Sequence, residues 1–507
     1  MQFLWYNKCK EKQQNASKSL HLEWMRMYRY SNGQIRLSDF KQPMGMNLKE
    51  DNRWVKRALL IPWNDIEKRY ASLFTNRKGN VAKPLRLALG ACIIQADYGY
   101  SDEETALQIQ ENAYLQYFCG YEAYDDSKPP FDSSLMVYFR KRLTAEVLGE
   151  INEMILVQSK VTPALESVET PAEKKTDEQS ETDDDDKPDP PTNSGTMIVD
   201  ATCAPSQIRF PQDTALLNEA RENTEAIIDA LHISGNQKPR TYRKRAHKDY
   251  LKLVRCRKPS AKKIRKCIGQ QLRYLRRNLN TIEAMKSAHS GMLSEKQQAR
   301  LDTIHKVYEQ QKIMYDHHTH SVPDRIVSLS QPWLRPIVRG KAKTTVEFGA
   351  KLDISVCDGW TRLEYFSFDA YNEAQNLVEM IERYRARTGR YPERVLADKI
   401  YRNRENLSYC ALHNIRLSGP ALGRPRKNEE RDKKRDYQDQ ADRVEVERQF
   451  SLAKRKCGLG MIVTRLEETT CHCLAMSVLL LNLRKLQRLL HAFFRWWFCV
   501  GKMPFVQ

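Results

Sequence analysis

The sequence contains no paired CxxC array. Its 12 cysteines in 507 residues are scattered, apart from Cys471-His472-Cys473, so the spacing of a structural zinc site is missing. Reduced thiols and a cytoplasmic location are expected. A signal peptide is also lacking, because "MQFLWYNKCKEKQQ" offers too short an apolar stretch. The most apolar segment, "CLAMSVLLLNLRKLQRLLHAFFRWWFCV", is interrupted by Asn482, Arg484, Lys485, Arg488 and His491. It falls short of the ~20 uninterrupted apolar residues of a membrane span, so no membrane partner is expected. There is no internal repeat.

Charge is plentiful and unbalanced. Against 64 Asp+Glu stand 84 Lys+Arg, a formal net charge of +20, and that sum includes the acidic run "ETDDDDKPDPP". A polyanion is the natural partner of such a chain, and nucleic acid is the first candidate. With 507 residues and 41% hydrophobic content, the chain is long enough for several domains with sizeable cores.

The pattern along the chain divides it. Residues 1–51 read as an irregular lead-in. Residues 52–160 carry apolar residues at helical spacing in "RLALGACIIQADYGY", "SDEETALQIQENAYLQYF" and "SSLMVYFRKRLTAEVLGEINEMILVQ", with Ser101 and Glu104 as a capping box. Residues 161–195 are poor in large apolar side chains and rich in charge and proline, the composition of a disordered linker. Asp183 to Asp186 within it read as a solvated tract, since nothing rigid holds those carboxylates for a metal.

Order resumes at "GTMIVDATCAP", where Met197-Ile198-Val199 read as a buried strand delivering Asp200 at its end. Residues 196–235 thus begin an α/β core, and in the helix "DTALLNEARENTEAIIDALHI" Asp213 reads as the N-cap. Residues 236–323 form a basic helical insertion, with Tyr242, Tyr250 and Tyr274 among the cations. Its Lys262, Lys263, Arg265 and Lys266 are candidate phosphate contacts, because single-signed runs repel themselves unless a partner neutralises them. In "YDHHTH" adjacent histidines diverge on a helix, which argues against a metal site.

Residues 324–465 alternate strands and helices: "DRIVSLSQ", "KTTVEFGAKLDISVCDGW" and "TRLEYFSFDA" as strands, a helix, "YPERVLADKIY" presenting Asp398, a further helix, and "IRLSGPAL". The helix "DRVEVERQFSLAKRK" follows, and residues 466–507 are C-terminal helices. "CHC" reads as packing there, "FFRWWF" as core or, alternatively, a dimer surface, and "GRPRK" as a basic turn or a minor-groove arm.

The helix "DRVEVERQFSLAKRK" raises a question, because a strongly basic chain keeps Glu445 and Glu447 among five cations. At ~100° per residue Arg443, Glu447, Phe450 and Lys454 share one face, while Glu445 points elsewhere. Ligands in α/β sheets bind at the carboxyl ends of strands. Asp200, Asp398 and Glu447 converging there would repel unless a cation neutralised them, and hard oxygen ligands suit Mg²⁺. Two ions ~3.5–4 Å apart can drive an in-line phosphodiester displacement. Arg443 and Lys454 would then contact DNA phosphates. Glu347, Asp353 and Asp358 are supporting or structural candidates.

The order of Asp200 in "VDATCAP", Asp398 in "LADKIYRNREN" and Glu447 in "RVEVERQFSLAK" resembles the DDE transposases of bacterial insertion sequences. Arg443-x3-Glu447-x6-Lys454 is similar to the family's Y-x2-R-x3-E-x6-K, with Gln440 where the tyrosine would stand. The resemblance extends from about Asn52 to Leu490. It implies an RNase H-like mixed-sheet catalytic core with a helical N-terminal domain and a basic helical insertion. It also implies catalysis by Asp200, Asp398 and Glu447 with Mg²⁺, two ions, for which Mn²⁺ substitutes. The implied partners are double-stranded DNA, as element ends and target, and a second copy of the chain. Two rivals remain: a DNA-binding regulator without catalysis, and an RNase H-like nuclease without strand transfer.

Overall fold

Apolar residues at helical spacing make the first layer. In a computed structural model describing residues 28–31, 34–42, 47–75, 80–166, 193–232, 237–288, 293–338, 346–419 and 433–500, the N-terminal region holds seven α-helices. These are α1 (Arg53–Leu59), α2 (Trp63–Ala71), α3 (Leu85–Tyr98), α4 (Asp102–Glu111), α5 (Ala113–Phe118), α6 (Leu135–Arg142) and α7 (Ala145–Glu166). Helix α3 is buried on all sides from Leu85 to Ile94, which makes it the centre of this bundle. Ser101 caps α4 by accepting the Glu104 backbone N–H, as its position predicts. The acidic tract Asp183 to Asp186 and the turn Gly423 to Lys427 lie outside the described residues, as do the side chains of Phe493 to Phe498.

The sheet follows from β1 (Thr196–Pro205), β2 (Arg335–Val338), β3 (Val346–Cys357), β4 (Trp360–Ser367), β5 (Arg394–Leu396) and β6 (Arg416–Leu417). Strand β3 pairs antiparallel with β1 on one edge and with β2 and β4 on the other. On its far side β1 pairs parallel with β5, which pairs parallel with β6. Four strands joined antiparallel, β1 to β4, extended by β5 and β6 in parallel, make the RNase H-like mixed sheet that was expected. Gly349 lets β1 and β3 come together, since a Cβ there would lie 2.0 Å from the Ala204 carbonyl oxygen.

Between β1 and β2 lie α8 (Asp213–Leu231), α9 (Arg243–Val254), α10 (Ala261–Ala288) and α11 (Glu295–Asp316). Leu272, Leu275, Leu279 and Ile282 of α10 pack with Leu217 and Ile228 of α8 and Ile304 of α11 in a core of their own. Helix α8 therefore shares its core with the insertion. "DRIVSLSQ", expected as a strand, is irregular instead: Ile326 and Leu329 are buried in that same core. Its backbone is satisfied by side chains, with the Ile326 N–H donating to Gln310 and the Leu329 carbonyl accepting from Arg300. Asp213 is not the N-cap of α8, a position held by Gln212 without a side-chain bond. It instead accepts hydrogen bonds from Gln311 (2.8 Å) and Arg325 (2.6 Å), tying α8 to the end of the insertion.

After β4 come α12 (Leu377–Thr388), α13 (Arg404–Leu412), α14 (Lys433–Lys456) and α15 (Glu467–Val500). Helices α12 and α13 cover one sheet face over Met197, Val199 and Val395. Helices α14 and α15 cover the other, with Val446, Ala453 and Leu479 against Ile198, Ile354 and Leu396. Helix α15 also packs on α7 and α3, so one apolar cluster runs from the N-terminal bundle into the sheet. Among the described residues no helix is long and apolar enough to cross a membrane.

Candidate active site

Strand register brings the two aspartates together. Ile198 of β1 is paired with Leu396 of β5 in a parallel ladder, so Asp200 and Asp398 each stand two residues beyond a matched pair. Period-two alternation turns both toward the face covered by α14. Asp200 is not at the end of its strand, as the sequence suggested, but in the middle of it, because β3 pairs with β1 as far as Pro205. Only its parallel partner stops short, ending at Leu396, and the resulting notch exposes Asp200.

The Asp200 side chain is 23% exposed and that of Asp398 58%. Burial pushes the Asp200 carboxyl above its usual pKa; the nearby Asp398 and Glu373 carboxylates add to this, and the Ala201 N–H and Arg443 oppose it. Asp200 Oδ1 accepts the Ala201 N–H at 2.8 Å, and Asp398 Oδ1 accepts the Lys399 N–H at 2.7 Å as cap of a short 3-10 turn.

Ion pairs at its N-terminal half fix α14 over this notch. Arg416 of β6 reaches both oxygens of Asp439 at 2.6 and 2.8 Å, and Arg394 of β5 reaches Asp442 at 2.7 Å. Burial alone would raise the Asp439 carboxyl, yet Arg416 and Arg394 hold it below the ordinary value. A carboxyl whose folded pKa is depressed contributes stability above its unfolded pKa of about 4 and loses it as pH falls through the folded value. Asp439→Asn is therefore expected to flatten the fall in stability below about pH 4, measured by urea unfolding at several pH values. An unchanged acid limb would remove this pair from the account of how α14 is held.

Helix α14 buries Val446, Gln449 and Ala453 against the sheet. Arg443, Glu447 and Lys454 follow one another along one flank of that buried stripe, each within ~40° of the last. Glu445 lies ~160° round the helix from Arg443. It ion-pairs with Arg448, accepts from Gln449 at 2.7 Å and lies near Lys485 of α15. Glu447 thus shares a flank with Arg443, whereas Glu445 does not. Glu447 itself is exposed. Among the described residues no three His, Cys, Asp or Glu side chains converge closely enough to hold a metal ion.

Arg443 reaches toward both aspartates, 4.0 Å from Asp200 and 3.8 Å from Asp398. A cleft of about 320 Å³ opens beside it, lined by Arg443 itself and by Asp398, Lys399, Asp436, Asp439 and Gln440, with Asp439 neutralised by Arg416 and Arg394. Gln440, at the position of the missing tyrosine, thus faces the same cleft as Asp398.

Beneath Asp200, on the opposite sheet face, lies a second acidic layer. Asp353 of β3 is fully buried and accepts hydrogen bonds from Tyr371 Oη (2.7 Å) and Asn376 Nδ2 (2.8 Å). Burial pushes its carboxyl up to about 6, against the pull of those two bonds. Glu373 is ion-paired with Lys351. Tyr401, three residues beyond Asp398, is fully buried near Asp353, Asp200, Glu373 and Asp398, and its hydroxyl has no hydrogen-bond partner among the described residues. Glu373, Lys351 and Tyr401 were not expected at this site, although Lys351 lies in "KTTVEFGAKLDISVCDGW" and Tyr401 in "YPERVLADKIY".

Other candidates lie elsewhere. Glu347 sits where β3 pairs with β2, seven residues or ~23 Å of strand from Ile354, the neighbour of Asp200, so it is not brought to the aspartates. Asp358 occupies a positive-φ turn. Lys262, Lys263 and Lys266 are exposed near the start of α10, and Arg265 stacks on Tyr315 and meets His318 at 3.0 Å. His472 is buried with Nδ1 2.6 Å from the Leu143 carbonyl, a packing role as expected.

Residues 395–484 match the family described as Transposase DDE domain, a span that includes Asp398, Arg443, Glu447 and Lys454. Residues 44–142 match the Transposase domain (DUF772), covering α1 to α6. Together these matches support an insertion-sequence DDE transposase. Asp200 lies outside both matched segments, and strand register and the nearby Arg443 connect it to Asp398 within the DDE-domain segment. The chain is also 31% identical over 127 residues to the uncharacterized protein ORF8 in the nfe locus of Rhizobium meliloti, covering 25% of this chain and 59% of that protein. No solved structure matches the chain.

Proposed function

We propose that the chain is the transposase of an insertion sequence, binding terminal inverted repeats, cutting them with Mg²⁺ and joining them to target DNA as a dimer. The observation that carries this reading is that Asp200 and Asp398, each two residues beyond the register-matched Ile198 and Leu396, both lie within 4.0 Å of Arg443, on a helix whose flank also presents Glu447 and Lys454. The donor set fits the ion: Mg²⁺ is usually held by one or two carboxylates, with water and substrate phosphate completing its shell. Asp200 and Asp398 would supply two such carboxylates, and Glu447 would serve a second ion. When bound, the metal supplies charge neutralisation and activation of a water or a DNA 3′-hydroxyl. Arg443 and Lys454 hold the phosphate backbone beside the aspartates, and the cleft under Gln440 admits it.

The insertion serves as the electrostatic handle. Lys262 and Lys263 stand in the first turn of α10, which holds no acidic residue, and cations there have the unfavourable sign for the helix dipole. Phosphate in front of that turn would reverse the penalty. Neutralising Lys262, Lys263, Arg265 and Lys266 together is expected to reduce the slope of log affinity against log salt by about 3–4 for duplex DNA. An unchanged slope would remove these residues from the interface.

The reading is tested by incubating the protein with labelled DNA ends from its flanking repeats, with Mg²⁺ and with EDTA, beside Glu447→Ala. Metal-dependent cutting and joining, lost in the variant, is expected. Tight binding without cutting in any metal would favour a DNA-binding regulator, and cutting without joining a nuclease.

A further inference from the structure

Arg443 is held in an unusual way. Its guanidinium lies 4.0 Å from Asp200 and 3.8 Å from Asp398, neither a hydrogen-bond distance, and its Nε is buried without a hydrogen-bond partner among the described residues. One turn earlier on the same helix Asp439 is gripped by Arg416 at 2.6 and 2.8 Å, so this chain builds close bidentate pairs where it needs rigidity. Arg443 instead sits loosely between two like charges that strand register forces together. Its charge is what that pair requires, and its geometry leaves it free to go.

We propose that Arg443 is a positioning residue, the resident counter-cation of the Asp200–Asp398 pair, which a divalent ion displaces and which then turns to a DNA phosphate in the adjoining cleft. The inference rests on the proposed reading of the two aspartates as metal ligands. Two cations within ~4 Å repel strongly in a partly buried site, so the ion and the guanidinium compete for the same carboxylates. A phosphate in the cleft offers Arg443 another anion and so removes the competitor. Because coupling between ligands is reciprocal, DNA tightens metal binding and metal tightens DNA binding through this one side chain.

The test is Mn²⁺ binding to the full chain without DNA, read by the EPR signal of free Mn²⁺. Arg443→Gln is expected to bind Mn²⁺ about fivefold more tightly than wild type, and Arg443→Lys, which keeps the charge, within about twofold of wild type. Adding duplex DNA is expected to tighten Mn²⁺ in wild type and much less in Arg443→Gln. Equal or weaker Mn²⁺ affinity in Arg443→Gln, with DNA coupling intact, overturns the proposal. Asp200→Asn and Asp398→Asn separate the two failures. If Mn²⁺ binding survives them, the metal reading falls and this inference with it; if they abolish it while Arg443→Gln changes nothing, this inference alone falls.

Discussion

Asp200→Asn is expected to lower DNA cleavage by at least about a thousandfold while raising the stability of the fold. The two effects have one cause. Asp200 lies within a sheet with its side chain 23% exposed, and burial holds its carboxyl above the ordinary value. A carboxylate raised in this way is destabilising once pH exceeds its unfolded value, so a neutral isostere removes a cost at pH 7. Asparagine keeps an oxygen for the Ala201 N–H, 2.8 Å away, and preserves the fold, but it is a poor partner for a hard cation. Asp398→Asn is expected to lose cleavage likewise, with a smaller gain in stability, because its side chain is 58% exposed. Cleavage assays in Mg²⁺ and urea unfolding measure the two quantities, and DNA binding in Ca²⁺, expected unchanged, is the control. Cleavage surviving in Asp200→Asn would remove Asp200 from the catalytic set.

Asp97→Ala is expected to destabilise the chain by about 3–5 kcal/mol, the usual cost of leaving a buried charge without its partner. Arg57 of α1 and Asp97 of α3 have side chains only 3% exposed and meet at 2.9 Å. Burial keeps Arg57 below its usual pKa even with Asp97 beside it. Arg484 of α15 shares the carboxylate, and Gln487 of α15 accepts from Arg57 at 2.9 Å while donating to the Arg53 carbonyl. The truncation thus loosens the joint between the N-terminal bundle and α15. Urea unfolding is the measurement, and a loss below about 1 kcal/mol would mean that water or Gln487 compensates the guanidinium.

Much of this arrangement was legible because it is periodic. Helical spacing located α3 and α8, a continuous apolar run located β1, and the switch to strand period located β3, since burial of those faces admits few other patterns. The family pattern on α14 was readable because helix geometry alone decides which residues share a flank. What escaped depends on tertiary partners. "DRIVSLSQ" has strand-like composition, but Gln310 and Arg300 satisfy its backbone in place of a neighbouring strand. Asp213 opens a helix as an N-cap would, yet Arg325, far along the chain, decides its role. Glu347 lies on a strand that does reach the site, but seven residues from the place that matters. The Tyr401 hydroxyl is informative only because nothing among the described residues bonds to it, and no sequence pattern records that.

The short ladder between β1 and β5 also makes the chain sensitive to length in one place and indifferent in another. Three paired residues set the register, and only Ala397 separates Leu396 from Asp398. Since side chains alternate along an extended strand, deleting Ala397 or adding one residue beside it would turn the carboxylate through the sheet, away from Arg443 and toward Tyr401 and Asp353. The helices between β1 and β2, with their separate core, impose no such parity on the site. Insertions and deletions should therefore accumulate among homologous chains in the segment between α9 and α11, and be purged between Leu396 and Asp398.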